Sequence, residues 1–163
     1  MRLNPRSASM KPAAIPVKGY SLARKTGDFM QVSIKVDEET IEHRGYVFSV
    51  DSVNGKNTLQ KIAFGNGEMI LIKPENTTGF SLKKGETISL FALLNTDAKY
   101  ADKAGEIAQV GCFLNGDVYE TFTGKLPGGG VVFEIEAPCD GEFLIYITNY
   151  CAGLQNYAEL SVY

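Results

Sequence analysis

Residues 131–149 read VVFEIEAPCDGEFLIYITN and contain two strand patterns separated by a turn. In the first pattern, Val131–Glu136, apolar residues take every second position, which is typical of a strand with one buried and one solvated face. Asp140-Gly141 marks the turn. The second pattern, Glu142–Asn149, carries large side chains on both faces. The stretch therefore predicts two strands joined by a turn.

Period-two alternation continues along the rest of the chain, whereas helical periodicity is nearly absent. Turn signals such as Gly65-Asn66-Gly67 and Asn115-Gly116-Asp117 separate the alternating runs. The further predicted strands are Phe29–Val36, Tyr46–Val50, Glu68–Lys73, Thr87–Leu94, Ile107–Leu114, Val118–Thr123 and Tyr157–Tyr163. This pattern predicts an all-β protein, an antiparallel β-sandwich that is jelly-roll-like and has about eight to ten strands.

The same pattern predicts the domain organisation. Residues 1–16 contain three prolines and no strand pattern, so we expect a flexible N-terminal arm. Residues 17–163 are expected to form a single β-sandwich domain, since the length suits one hydrophobic core. The Ala- and Lys-rich segment 97–108 predicts a long loop with one helical turn.

The charge balance limits the partners of the chain. Sixteen basic and nineteen acidic side chains among 163 residues give a net charge of −3. This value disfavours nucleic acid, whose phosphates require a basic surface. The apolar runs are far shorter than the roughly 20 residues that span a bilayer, so we expect no membrane insertion. No signal-peptide pattern occurs, so we expect a cytoplasmic location, export by a non-classical route, or a signal that has been removed.

Few side chains suit catalysis. His43 is the single histidine, and it ends the acidic segment Asp37–His43, which predicts a solvated loop. A serine or cysteine nucleophile therefore lacks a base. Glu134 and Glu136 alternate onto the polar face of one strand, where solvated carboxylates are expected rather than a glycosidase pair. We expect a non-enzymatic protein that uses neither a cofactor nor a metal.

The three cysteines form no CxxC motif. Cys139 and Cys151 flank one predicted strand, whose extended length of roughly 26 Å exceeds the separation of about 7 Å that a disulfide allows. A bridge from Cys112 to either of them remains open. Three free thiols are the simpler expectation.

Binding residues of β-sandwiches often lie on the loops at one end of the strands. Two predicted loops, Asn95–Glu106 and Asn149–Tyr157, combine amide, carboxylate and tyrosine side chains, which bind sugars through hydrogen bonds and an aromatic face. Alternatively, Tyr150 and Tyr157 staple their loop to the sandwich. The candidate carbohydrate-binding residues are Asp97, Tyr100, Asp102, Asn149, Tyr150, Asn156 and Tyr157.

Thr78–Leu90 (TGFSLKKGETISL) and Pro138–Val162 (PCDGEFLIYITNYCAGLQNYAELSV) resemble the two ends of the galactophilic bacterial lectins of the PA-IL type. The matching features are the turn and strand Lys84–Ile88, the turn Asp140–Glu142 and the hairpin that follows it. The lectin-like portion covers about residues 75–163. The resemblance implies a small jelly-roll, galactose-binding-like sandwich of a kind that binds galactosides through calcium.

The calcium ligands of that family are not kept. Directly after Asn149, Tyr150 stands where the family has a calcium-ligating Asp, and Leu154 stands at its Thr position. Calcium prefers six to eight oxygen ligands, which a phenol and a leucine do not supply. The resemblance therefore implies a lectin-like module that binds carbohydrate or another polar ligand at the two loops without calcium.

A second function class stays open. Strands that are apolar on both faces, such as Thr87–Leu94, also suit a structural protein that forms homo-oligomers through sandwich faces or edges. A symmetric interface of well over about 1,000 Å² would favour this assembly function.

Overall fold

The computed structural model describes residues 19–36, 38–95 and 107–163, and within them the backbone is almost entirely β-strand. One short helix, α1 (Ala23–Thr26), is present in this part. The strands are β1 (Ser21–Leu22), β2 (Asp28–Val36), β3 (Glu39–Val50), β4 (Ser52–Val53), β5 (Lys56–Phe64), β6 (Glu68–Pro74), β7 (Phe80–Leu82), β8 (Thr87–Leu94), β9 (Ile107–Leu114), β10 (Asp117–Lys125), β11 (Gly130–Glu136), β12 (Gly141–Thr148) and β13 (Gln155–Val162). The predicted all-β sandwich is confirmed. The described residues form more strands than predicted, chiefly because β1, β4 and β7 are too short to show alternation.

Two predicted segments lie wholly or mostly outside the described residues. One is the N-terminal arm, residues 1–16, and the other is the helical turn over residues 97–108. The last two residues of the second segment, Ile107 and Ala108, begin β9. In the part of the chain that the structure describes, no helix is long and apolar enough to cross a membrane.

The strands form two sheets. The six-stranded sheet has the order β1-β5-β13-β8-β11, with β4 paired to β5. The seven-stranded sheet has the order β10-β9-β12-β6-β3-β2, with β7 paired to β12. The pairs are antiparallel except for β1 with β5 and β3 with β6. The chain leaves β3 for β5 in the other sheet and then returns, so β6 enters beside β3 in the same direction.

Two segments differ from the sequence-based expectation. The prediction of a solvated loop over Asp37–His43 is wrong, because β3 begins at Glu39 and pairs with β2 as far as Val47. Strand β5 shows no clear alternation because Lys61 adopts a φ of 51° in mid-strand, which interrupts the inward and outward order of its side chains. A backbone irregularity of this kind leaves no period-two pattern to detect.

The main hydrophobic core lies between the two sheets. Phe143, Ile145 and Ile147 of β12 share its inward face and are fully buried, as their alternation predicts. They belong to one cluster with Leu90 of β8 and Leu160 of β13 in the other sheet. Each such side chain stabilises the fold by about 1.5–3 kcal/mol relative to leaving it in water.

The seven-stranded sheet buries its second face as well. Strands β2 and β10 stand at opposite ends of the strand order yet contact each other, so the sheet curls into a trough. The trough is lined by buried side chains of β2, β6, β9 and β12, namely Val32, Ile34, Met69, Leu71, Phe113, Leu144 and Tyr146. Burial of this set contributes on the order of 10 kcal/mol, which is comparable to the net stability of a whole domain. Folding therefore depends on the closure of the trough.

Two glycines allow the sheet to curl this tightly. A Cβ atom on Gly45 would lie 2.7 Å from Leu71 Cδ1 and 3.0 Å from the Met30 carbonyl oxygen. A Cβ atom on Gly111 would overlap the carbonyl oxygen of Tyr119 on the neighbouring strand. This second contact lies beside a register shift in β10, which also bends the sheet. Neither position has room for a side chain.

We expect Gly111→Ala to lower the free energy of unfolding by at least about 1–3 kcal/mol, because the added methyl group meets rigid backbone rather than a movable side chain. Gly128→Ala is the matched control, since a Cβ atom there meets nothing within 4 Å. Urea denaturation of the wild type and both variants measures the effect. Equal stability of the two variants would contradict the tight approach of β9 and β10.

His43 lies in β3 and is only 1% exposed, so the prediction of a solvated position is wrong. Its Nδ1 donates to the Ile41 carbonyl oxygen at 3.0 Å, and because a carbonyl only accepts, Nδ1 carries the proton of the neutral ring. The ring packs edge to face on Tyr150 at 5.4 Å between centroids. Burial lowers the pKa of His43, and this effect outweighs the Ile41 hydrogen bond and the Glu42 charge, which raise it.

We expect the free energy of unfolding to fall as the pH drops from 7.5 to 5.5. In the unfolded chain His43 regains its ordinary pKa of about 6.5, so the unfolded state binds more protons than the native state below that pH. Linkage then lowers stability by up to about 1.4 kcal/mol per pH unit. Urea denaturation at both pH values measures this in the wild type and in His43→Gln. Since the chain has a single histidine, the variant should change less, and equal changes would contradict the prediction.

Candidate ligand-binding cleft

The predicted binding residue Asn149 is fully buried and holds its own loop together. Its Nδ2 donates to the carbonyl oxygens of Phe64 at 2.8 Å and Gly153 at 3.0 Å. Its Oδ1 accepts from the Cys151 backbone N–H at 2.7 Å. These bonds satisfy backbone groups that would otherwise be buried without partners. The side chain therefore fixes the loop after β12 and presents no polar atom to solvent.

The other described candidates of this loop are also buried. Tyr157 donates its hydroxyl to Gln155 Oε1 at 2.7 Å, and its ring stacks on Phe64 at 5.5 Å between centroids. Asn156 is 5% exposed, and Tyr150 is 4% exposed. Burial raises the pKa of Tyr150, so this side chain stays a neutral phenol. Of the two alternatives for Tyr150 and Tyr157, these contacts match the one in which both residues staple the loop to the sandwich.

The remaining three candidates, Asp97, Tyr100 and Asp102, lie outside the described residues.

A buried carboxylate that has no signal in the sequence lies beside Asn149, at the end of the seven-stranded sheet next to the β12–β13 loop. Glu68 is 2% exposed and accepts from the Gly65 backbone N–H at 2.6 Å and from the Tyr46 hydroxyl at 3.1 Å.

Two exposed guanidinium groups lie near the Glu68 carboxylate. Arg24 Nη1 lies 3.8 Å from Oε1, and Arg44 Nε lies 4.0 Å from Oε2. A buried carboxylate needs such partners, because an unpaired one costs several kcal/mol. Glu68 thus joins α1, β3 and β6 at this end of the sandwich, and its role is structural.

An open cleft lies at the opposite end of the sheet, at one mouth of the trough. Its volume is about 630 Å³, within the range of small-molecule sites. Phe113 and Leu144, both buried trough residues, form an apolar floor together with Met30 and Leu114. The polar rim comes from four separate segments of the chain: Gln31, Thr78, Asn115, Asp140 and Glu142.

Two rim carboxylates are held in place by the scaffold. Asp140 Oδ1 accepts from the Lys84 backbone N–H at 2.8 Å, and Glu142 Oε1 accepts from the Thr78 hydroxyl at 2.7 Å. The second oxygen of each carboxylate accepts no hydrogen bond from the described residues. Both residues are exposed, so these second oxygens are available to a ligand as fixed acceptors.

Asn115 presents its amide at the tip of the β9–β10 hairpin. Asn115 and Gly116 have φ values of 50° and 88°, which is the type I′ turn that an Asn-Gly pair favours. From the sequence, this turn and the Asp140–Glu142 turn are predicted only as chain reversals. The position of Gln31 on the rim of the cleft has no signal in the sequence, because it depends on the approach of β2 to the β9–β10 hairpin.

Potential metal-binding side chains are dispersed over the described residues. In residues 19–36, 38–95 and 107–163, no group of three His, Cys, Asp or Glu side chains converges on a possible metal position. Glu134 is exposed and accepts from the Ser89 hydroxyl at 2.8 Å.

The three cysteines are free thiols, as predicted. Burial, followed by the neighbouring Cys139, raises the pKa of Cys112 to about 11, so its thiol stays protonated at neutral pH.

Comparisons with known proteins leave the family open. No protein-family model matches the sequence, and no curated protein matches it. Among solved structures, the chain is similar to the pre-peptidase C-terminal domain of collagenase from Bacillus anthracis. The TM-score is 0.40 at 13% identity, over 74% of this chain and 96% of that domain. A similarity of this extent assigns neither a ligand nor an activity to the chain.

Proposed function

We propose that the chain is a non-enzymatic, lectin-like module that binds a carbohydrate or another polar ligand at the open cleft, without calcium. The observation that carries this proposal is the combination of an apolar floor and a fixed polar rim in one cavity of about 630 Å³. The ligand class comes from the resemblance of residues 75–163 to galactoside-binding lectins.

The chemistry of the cleft suits a sugar ring. Saccharides present C–H groups on one face and hydroxyl groups around the edge, so they match an apolar floor surrounded by acceptors and amides. Met30 and Leu114 are partly exposed and can cover the C–H face. Asn115, Asp140 and Glu142 supply hydrogen-bonding groups at the edge.

The position differs from the loop site that the sequence predicts. Asn149, Tyr150, Asn156 and Tyr157 are buried, and the side chains of Asn149 and Tyr157 are hydrogen-bonded within the fold. A ligand there would first have to displace those contacts. The rim of the cleft is already exposed, so binding requires no such rearrangement.

A glycan array run once in calcium and once in EDTA tests the proposal. We expect the same glycans to bind in both conditions, since Ca²⁺ prefers six to eight oxygen ligands and the two rim carboxylates cannot supply them alone. Binding that is lost in EDTA would contradict the calcium-independent site.

A matched pair of turn variants tests the position. Asn115→Gly removes the rim amide and keeps a residue that tolerates positive φ, so we expect glycan binding to weaken about 2- to 10-fold, the value of one hydrogen bond. Asn54→Gly is the control, because Asn54-Gly55 forms the same type of turn, with φ values of 53° and 78°, in the other sheet. Equal affinity of the two variants would place the ligand elsewhere.

The assembly function is the second candidate. It draws on Phe29 and Val132, which are 59% and 46% exposed on β2 and β11. Strand β11 stands at the end of the strand order of its sheet, where another chain could pair, and Phe29 adds an exposed apolar side chain on β2. A protein that binds no glycan and has a solution mass that is a multiple of 17.8 kDa would favour assembly over the lectin-like function.

A further inference from the structure

We propose that the ligand of the cleft carries a positive charge, and that it is a saccharide with a free amino group. This inference rests on the proposed function and narrows its ligand class. It starts from the cavity itself, whose lining contains two carboxylates, Asp140 and Glu142, and no lysine, arginine or histidine among the described residues.

Neighbouring cations do not neutralise the two carboxylates. Lys84 meets Asp140 through its backbone N–H, and neither Asp140 nor Glu142 forms an ion pair with a cationic side chain of the described residues. The rim therefore keeps two negative charges facing an open cavity. Charges arranged in this way repel anionic ligands and attract cationic ones.

The carboxylates are also oriented before a ligand arrives. One oxygen of each is fixed by the scaffold, through the Lys84 N–H for Asp140 and the Thr78 hydroxyl for Glu142. The side chain that carries the second oxygen has therefore already lost part of its rotational freedom, which lowers the entropic cost of binding a ligand. An ammonium group has three donors and no acceptor, so it can donate to such oxygens, and charge-assisted bonds of this type are stronger than neutral ones.

The remaining features of the cleft favour an amino sugar over a metal ion. A bare divalent metal would lack further ligands, since the described residues form no group of three metal-binding side chains. The floor is apolar and gains nothing from a hydrated ion, whereas the ring of an amino sugar can cover it. Phe113 and Leu144 lie at the base of the cleft, each 7% exposed, so the ring would complete their burial.

Two oligosaccharides with the same backbone test this inference on the wild-type protein. Glucosamine oligomers carry ammonium groups, and N-acetylglucosamine oligomers of the same length carry neutral amides. Calorimetry at pH 6 should give at least about tenfold tighter binding of the glucosamine oligomer. This preference should shrink as NaCl rises from 50 mM to 500 mM (about 14 Å to 4 Å of screening length), because salt screens the attraction.

Variants that remove the two carboxylate charges test whether Asp140 and Glu142 cause the preference for the glucosamine oligomer. The double variant Asp140→Asn with Glu142→Gln keeps an amide oxygen for each scaffold bond and removes both charges, so the glucosamine preference should disappear. Glu136→Gln is the matched control, since Glu136 is exposed on β11 in the other sheet. This control should leave the preference unchanged.

Each outcome separates this inference from the proposed function. If both oligomers bind equally and Asn115→Gly weakens both, the cleft is a saccharide site but the charge inference is overturned. If neither oligomer nor any array glycan binds, both proposals fail. If the preference for the glucosamine oligomer survives in the double variant, other residues recognise the ammonium groups, and the inference is overturned. Should the double variant not fold, the salt dependence and oligomer comparison on the wild type still decide the matter.

Discussion

The structure depends on one constraint, which is that the seven-stranded sheet is apolar on both faces. One face packs on the other sheet, and no further layer of the described residues covers the second, so the sheet covers itself. It does so by curling until β2 and β10 meet. Gly45 and Gly111 permit the close approach, and the trough residues fill the space. The main core explains why a sandwich forms, and the trough explains why this sheet is curled.

The curl also creates the candidate site. A trough closed along its length still has two ends, and the two ends differ in their side chains. At the end near the β12–β13 loop, His43, Tyr150 and Asn149 are buried and bonded or packed within the fold. At the other end, the start of β12 and the β9–β10 hairpin leave a cleft. Its floor is the exposed edge of the trough core, so stability and ligand binding share the same side chains.

The sequence-based predictions succeeded where a side chain's environment follows from its neighbours along the chain. Alternation assigned Phe143, Ile145 and Ile147 to one buried face, and the residue pair Asn115-Gly116 indicated a hairpin turn, as the structure has them. They failed where distant segments decide. The pattern could not show that His43 is covered by Tyr150, more than a hundred positions away. Nor could the pattern show whether the Asn149 amide forms hydrogen bonds with the backbone or with a ligand, since asparagine side chains readily satisfy nearby backbone groups.

The sequence by itself determined the all-β class and most of the strands and turns, because these depend on local periodicity and residue type. Only the tertiary structure decided that one sheet curls, that the tyrosines of the β12–β13 loop are buried, and that Gln31, Asn115 and Asp140 line one cleft. Those outcomes depend on which strands become neighbours. That order is set by the free energy of burying both faces of a sheet at once, which no single stretch of sequence contains.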